Sequence, residues 1–500
     1  MLLSGIASIL WAEKLPVGDG LGWDGVNYGT WAKNFHESVF VKGLSDYYVQ
    51  RMAPSAIVHY GTRGLLSPFY GQERIHEILA QTKNIIRAFD IYNLILLLIA
   101  VYVWGLIADN LALSDKGKWF GFCCLFINYA IAKSNYYQPV LTDTSAFVLG
   151  LVMFYFFLAN QPLGILATML VGAFTWPTIP MTGAIFLAFP RPADPLDATP
   201  RVTTPTVRRL SLLATALACL VAILMLLHLL RQDIRQWDNA SMVRINFVLL
   251  YSSMVALIVY LFFGFRSAFR DGRLFDLRYI IKAIHWRWAA AAFVTLLVIR
   301  FVVGKLAANI PSPWTYSRYV EYLFASALTE PFLFLVAHAV YYGPVILLMV
   351  IFWKQFCEGA GRFGIGFRLF VILNLALSIC PQSRYQIPAV SAFVIVMVAI
   401  MDRALLPRWG LAFWVVLSIF YSKVWYIFNT GPMRSDGSMA SFQKFPIQHF
   451  FMNSGPWMSH SMYLAQGSVV LATLIVLALL VIRGRFRRTT LEGGSPLTAR

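Results

Sequence analysis

Charge is what this sequence has least of. Aspartate and glutamate number 23 in 500 residues, and all charged residues together make up 13%, against roughly 25% in an ordinary soluble domain. That is too little charge to cover a water-facing globular surface. Cysteine is also sparse: Cys123, Cys124, Cys219, Cys357 and Cys380 show no CxxC spacing, which argues against zinc or disulfide chemistry. Histidine offers no ligand set either, because His59, His228, His338 and His449 share no metal-binding spacing. No GxxxxGK[ST] loop, Rossmann glycine pattern or HExxH occurs, so ATP-driven and nicotinamide chemistry are not expected.

Apolar residues fill that space, at 59% of the chain. Runs such as "IYNLILLLIAVYVWGLIA" (91–108), "SLLATALACLVAILMLLHLL" (211–230) and "FVLLYSSMVALIVYLFFGF" (247–265) are each close to the ~20 residues that cross a bilayer as helix. Less clean runs lie at 119–133, 144–159, 163–175, 178–190, 289–303, 332–353, 368–380, 389–402, 411–428 and 468–482. With a short first span in "MLLSGIASILWA", the reading is an all-α polytopic membrane protein of about fourteen transmembrane helices, forming a single domain over 1–500. Barrel strands would alternate instead.

Basic residues then orient the chain. One set of loops carries Lys116, Lys118, Arg191, Arg201, Arg208, Arg209, Arg266, Arg270, Arg273, Arg278, Lys282, Arg287, Lys354, Arg362, Arg368, Arg403 and Arg408, followed by a basic tail over 483–500. That face is expected to be cytoplasmic. The opposite face holds most of the acids, among them Asp19, Asp24, Asp46, Asp143, Asp233, Asp238, Glu321 and Glu330. Anionic lipid headgroups account for the net charge of +18, and nucleic acid is not needed.

The external segments hold more sequence than simple turns require. The first, 12–89, contains helical patterns at 44–60 and 71–89; the second of these has the apolar stripe of a helix lying in the membrane interface. Further external loops fall at 305–331 and 429–467. Together they could roof a cavity on the outer surface.

Three features there point to chemistry. Asp24 sits in "GLGWDGVNYGTW", where Gly25 and Tyr28 suggest a tight turn presenting the carboxylate. Asp143 lies in "NYYQPVLTDTSAF", at the head of a span, where it could also cap the helix. Arg384 occupies the short turn "CPQSRYQIPAV" between two prolines, and arginine suits bidentate phosphate binding. Arg51 in "QRMAPS" makes a similar case, and Trp314 in "SPWTYSRY" offers an aromatic face for a sugar.

In this order, the first-loop acid, the second acid at a span head and the late "SRYQIP" turn resemble the GT-C superfamily of integral-membrane glycosyltransferases. The resemblance implies a polyprenyl-phosphate-linked sugar donor and a glycan, lipid or protein acceptor, with inverting transfer on the outer face of the membrane, which the short loops and basic tail suggest is the periplasmic face of a bacterial inner membrane. It assigns Asp24 as general base and Asp143 as a supporting acid that could help hold a divalent metal, Mg or Mn. It places Arg384 on donor phosphate; beside that carry-over, Tyr385, Tyr28, Arg51 and Trp314 are expected as further substrate contacts from their own residue types and positions. The chain departs from the family in lacking a DxD or ExD pair, which leaves metal dependence open. The rival reading is a secondary transporter or lipid flippase, which would place ionisable groups at mid-membrane and often show inverted repeats. Only Arg300, near the end of a run, sits inside a span in that way.

Overall fold

A computed structural model describes residues 2–482 apart from 193–204, 233, 235–236, 238–242, 309, 311–314, 404–407, 433–444, 446, 449–451 and 453–454. Trp314, Asp233, Asp238, His449 and the tail over 483–500 lie outside the described residues. Helices follow one another in the order α1 (Leu2–Trp11), α2 (Trp23–Lys33), α3 (Asp46–Val49), α4 (Ala53–Leu66), α5 (Gln72–Ala80), α6 (Thr82–Asn110), α7 (Asp115–Phe126), α8 (Asn135–Tyr137), α9 (Asp143–Leu158), α10 (Pro162–Ala173) and α11 (Thr178–Ala188). The second half continues with α12 (Pro205–Arg231), α13 (Leu250–Ala268), α14 (Leu277–Ala283), α15 (Trp286–Leu306), α16 (Tyr316–Ala327), α17 (Leu333–Tyr342), α18 (Val345–Ile351), α19 (Trp353–Gly361), α20 (Ile365–Leu377), α21 (Ile387–Arg403), α22 (Arg408–Ser422) and α23 (His460–Ile482). No β-strand occurs among the described residues; one isolated bridge joins Leu44 and Ala307.

Among the described residues six helices are long and apolar enough to cross a membrane, over 82–110, 205–231, 247–268, 286–306, 383–402 and 460–481, and seven more are apolar but shorter. At 1.5 Å per residue α6 alone is about 44 Å long, more than the ~30 Å hydrocarbon thickness. The apolar run 332–353 is not one helix. Gly343, at a φ of +84°, and Pro344 divide it into α17 and α18, since the proline has no N–H to continue the ladder.

The first external segment also departs from expectation. The pattern at 71–89 predicts a single interfacial helix, but Gln81 adopts an extended ψ of 120° and separates α5 from α6. Asn84 Nδ2 donates to the Ile78 carbonyl at 2.9 Å there, which compensates for the broken ladder. The pattern at 44–60 divides likewise into α3 and α4, with Pro54 in the first turn of α4.

Among the described residues two large apolar cores result, beside a small cluster of Leu333, Met458 and Met462. The larger fills the bundle, and a smaller one lies beneath α2, α4 and α5, where Tyr28, Trp31, Val58 and Ile75 meet Val140 and Leu141. Between helices in lipid, close packing contributes more than burial, so small residues mark the tightest approaches. Gly150 of α9 is such a point: a Cβ there would lie 2.0 Å from the Pro388 carbonyl oxygen of α21. This contact holds the middle of α9 against the first turn of α21.

Candidate active site

Arg384 stands on a single 3₁₀ turn, Ser383–Gln386, leading into α21. The sequence supplies this turn with fixed partners. Tyr342 donates its hydroxyl hydrogen bond to the Ser383 carbonyl. His338 places Nε2 2.8 Å from the Ser378 carbonyl and Nδ1 2.9 Å from Ser383 Oγ. Because a carbonyl only accepts, Nε2 carries the proton. Tyr322 donates to Gln382 Oε1 at 3.0 Å.

Asp143 begins α9, with Thr142 as N-cap. The preceding turn is fastened from several sides. Asn93 Nδ2 donates to the Pro139 carbonyl at 2.7 Å, Thr144 bonds Asn135 side chain to side chain, and Tyr92 and Ser145 hydroxyls lie 3.0 Å apart. The carboxylate is not spent on capping its own helix. Both of its oxygens lie 2.9 Å from Arg384 Nε.

Asp24 lies in the first turn of α2, so Gly25 and Tyr28 belong to a helix and not to the tight turn expected. The turn comes just before: Gly18, Asp19, Gly20 and Gly22 all have positive φ, between +54° and +95°, a region that glycine enters without steric cost. That reversal aims the head of α2 inward, and Asp24 Oδ2 comes 3.3 Å from Arg384 Nη1. Asp19 is exposed on the reversal and takes no part.

The three groups predicted from sequence therefore meet, although Asp24 and Asp143 lie 360 and 241 residues from Arg384 along the chain. Their exposure differs in a telling way: the side chains of Asp24, Arg384 and Asp143 are 45%, 21% and 12% exposed. Asp24 is reachable, while Asp143 is the anchor behind. A cavity of about 350 Å³ opens over Asp24 and Arg384. Among the described residues its wall carries seven aromatics, Trp23, Tyr47, Tyr129, Tyr322, Tyr341, Tyr385 and Trp457, with Ser134, Gln138, Gln382 and Ser383 as polar groups.

Tyr385 thus lines the cavity, whereas Arg51 and Tyr28 do not. The Arg51 guanidinium is buried between the rings of Tyr47, at 4.7 Å, and Trp176, at 4.4 Å, and does not line the cavity. Stacking on two aromatic faces stabilises a cation without exposing it. Tyr28 is fully buried on the core side of α2, and burial pushes its phenol well above the usual range. Both act behind the wall.

A resident divalent metal does not fit. Asp143 already gives both oxygens to Arg384, and no group of three metal-ligating side chains occurs among the described residues.

The supports of the turn, His338, Tyr342 and Tyr322, are not marked out by the sequence, nor are Tyr129 and Tyr341. Each sits in an apolar or aromatic stretch where burial is the default expectation, and nothing in its spacing distinguishes it. Compared with protein-family models, curated proteins and solved structures, the chain matches none.

Proposed function

We propose that this chain is an integral-membrane glycosyltransferase that moves a sugar from a polyprenyl-phosphate donor to an acceptor hydroxyl with inversion. The observation that carries the reading is Arg384 held between Asp143 and Asp24 at the edge of an aromatic cavity. Inverting transfer needs a base at the acceptor hydroxyl and positive charge at the departing phosphate. Asp24 accepts the hydroxyl proton as the acceptor oxygen attacks the anomeric carbon. The bond from that carbon to the phosphate oxygen breaks, and the polyprenyl phosphate leaves with the electron pair.

The unequal contacts of Arg384 suit this sequence of events. Its Nε bond to Asp143 is short and shared by two oxygens, whereas the Nη1 contact to Asp24 is 3.3 Å, long for a charge-assisted bond. An arriving phosphate competes most easily with Asp24, so donor binding frees the base. The aromatic rings offer the apolar faces on which sugars stack.

In this reading the six long helices and seven shorter ones, with α7, give fourteen crossings. The Arg384 cavity then opens to the periplasmic side of a bacterial inner membrane, opposite the basic loops. The test is transfer by purified protein supplied with extracted polyprenyl-phosphate sugars, read by mass spectrometry of the released lipid. Turnover by the wild type and none by Asp24→Asn supports the proposal; equal turnover by both sinks it.

A further inference from the structure

At the end of the bundle opposite Arg384, cations outnumber acids among the described residues. Helix α20 runs from the Ser378 end, near the Arg384 turn, back to Arg368. There Asp271 pairs with both Arg273, at 2.6 Å, and Arg368, at 3.2 Å, and all three are buried. That triad accounts for two of the arginines on this face and consumes the acid.

Beside it opens a cavity of about 800 Å³ between the first turns of α12 and the last turn of α13. It is lined by Arg208, Arg209, Arg266 and Arg270 with the hydroxyls of Ser211 and Ser267. Arg266 Nη1 donates to Ser211 Oγ at 3.0 Å, and the charges of Arg208 and Arg270 act on Arg266. No carboxylate among the described residues pairs with any of the four.

Orienting a membrane protein requires basic residues on one side, but it does not require them to converge. Arg278 and Lys282, exposed one turn apart on α14, serve that purpose outside this cavity. Four guanidinium groups around one opening repel each other unless an anion sits among them, and their forks match phosphate oxygens. The opening is also continuous with apolar surface: Leu212 lines it, and Leu213 on α12 with Phe262 and Phe263 on α13 are exposed nearby. A free phosphate has no use for such a surface, whereas acyl chains do.

We propose that this cavity binds the phosphate headgroup of an anionic lipid, with its chains against α12 and α13. The site rests on the membrane reading of these helices and is independent of the transfer chemistry at Arg384. Such sites form where basic pockets open between membrane helices.

The experiment is native mass spectrometry of the full chain released from phosphatidylcholine nanodiscs containing a minority of phosphatidylglycerol. The side chains of Arg208 and Arg270 are exposed and make no side-chain hydrogen bond among the described residues, so Arg208→Gln/Arg270→Gln should fold. The wild type should retain phosphatidylglycerol selectively. Retention should fall by about fivefold for each arginine removed, the equivalent of the usual contribution of one basic residue near an anionic surface. The equally discharged Arg278→Gln/Lys282→Gln should behave as wild type. Equal retention by wild type and the cavity variant overturns the proposal. Stoichiometric displacement of the lipid by inorganic pyrophosphate also overturns it, because the source is then a soluble phosphate.

Discussion

Arg384 Nε is shared between both carboxylate oxygens of Asp143, at 2.9 Å each, while its Nη1 reaches Asp24 at 3.3 Å. One guanidinium thus makes one firm and one loose contact, and the two acids should respond differently to the same change. Asp24→Asn removes little that holds the fold, because the side chain is nearly half exposed. Its thermal unfolding in detergent should match wild type, with transfer reduced by about 10²–10⁴, the usual contribution of a general base. An unfolding temperature well below wild type would reassign Asp24 to structure.

Asp143→Asn should show the converse. It leaves a partly buried guanidinium short of its counter-charge, a loss of about 3–5 kcal/mol when the pair is fully buried. At 12% and 21% exposure the cost should be somewhat smaller, but still visible as a lowered unfolding temperature together with reduced transfer. Unchanged stability would mean that the ion pair does not fix the turn.

Arg384→Lys keeps the charge and loses the fork. A lysine ammonium is a point charge on a flexible stem, and it cannot keep one donor between two carboxylate oxygens while offering another to phosphate. Transfer should fall by about 10²–10³, as when one preorganised donor to a developing anion is removed. The loss should appear mainly in kcat. An unchanged kcat with a raised KM would place Arg384 in ground-state binding alone.

The close contact of α9 with α21 gives a prediction remote from the cavity. At Gly150 a side chain would meet the Pro388 carbonyl oxygen at 2.0 Å, and backbone cannot swing aside as a side chain can. Gly150→Val should therefore spread the two helices, carry Asp143 away from Arg384, and lose both stability and transfer. Gly61, in α4, has nothing within 4 Å of its Cβ position, so Gly61→Ala should be tolerated and even stabilise by about 0.5–1 kcal/mol. Wild-type activity in Gly150→Val would remove that contact from the account of the site.

Much of the site is legible in the sequence because its key groups break their surroundings. Asp24, Asp143 and Arg384 are charges in oily stretches, two beside glycine or threonine and one between prolines, and each break carries information. The rest is hidden for the opposite reason. His338 and Tyr342 lie one helical turn apart on an apolar helix, where the side chain that holds Ser383 looks like ordinary core. Gln81 carries no Gly or Pro to announce the end of α5, so the apolar stripe runs on across the break. The Gly343–Pro344 break is written in the sequence, but the apolar run on both sides outweighs it. Arg51 stands out as a charge in an odd place, yet a sequence does not show whether a guanidinium faces a ligand or two aromatic rings.

Lys423 offers a test by pH. Although the apolar run continues to 428, the helix ends at Ser422, and Lys423 follows it outside the span at a φ of +55°. Its Nζ stands 5.4 Å over the ring of Tyr129, which lines the Arg384 cavity. Burial pushes its pKa down from 10.5 to about 7. In the unfolded chain the amine returns to about 10.4. Between about pH 7 and about pH 10 the unfolded state therefore binds a proton that the folded state lacks, and stability rises with pH across that window. The side chain keeps partial exposure, so the slope should fall well short of the about 1.4 kcal/mol per pH unit of a fully displaced proton. Wild-type protein in detergent should unfold at a higher temperature near pH 9 than near pH 7, and Lys423→Met should flatten that rise while gaining stability at neutral pH. If the variant keeps the wild-type slope, the rise comes from another group, and the ammonium at Tyr129 stays charged throughout.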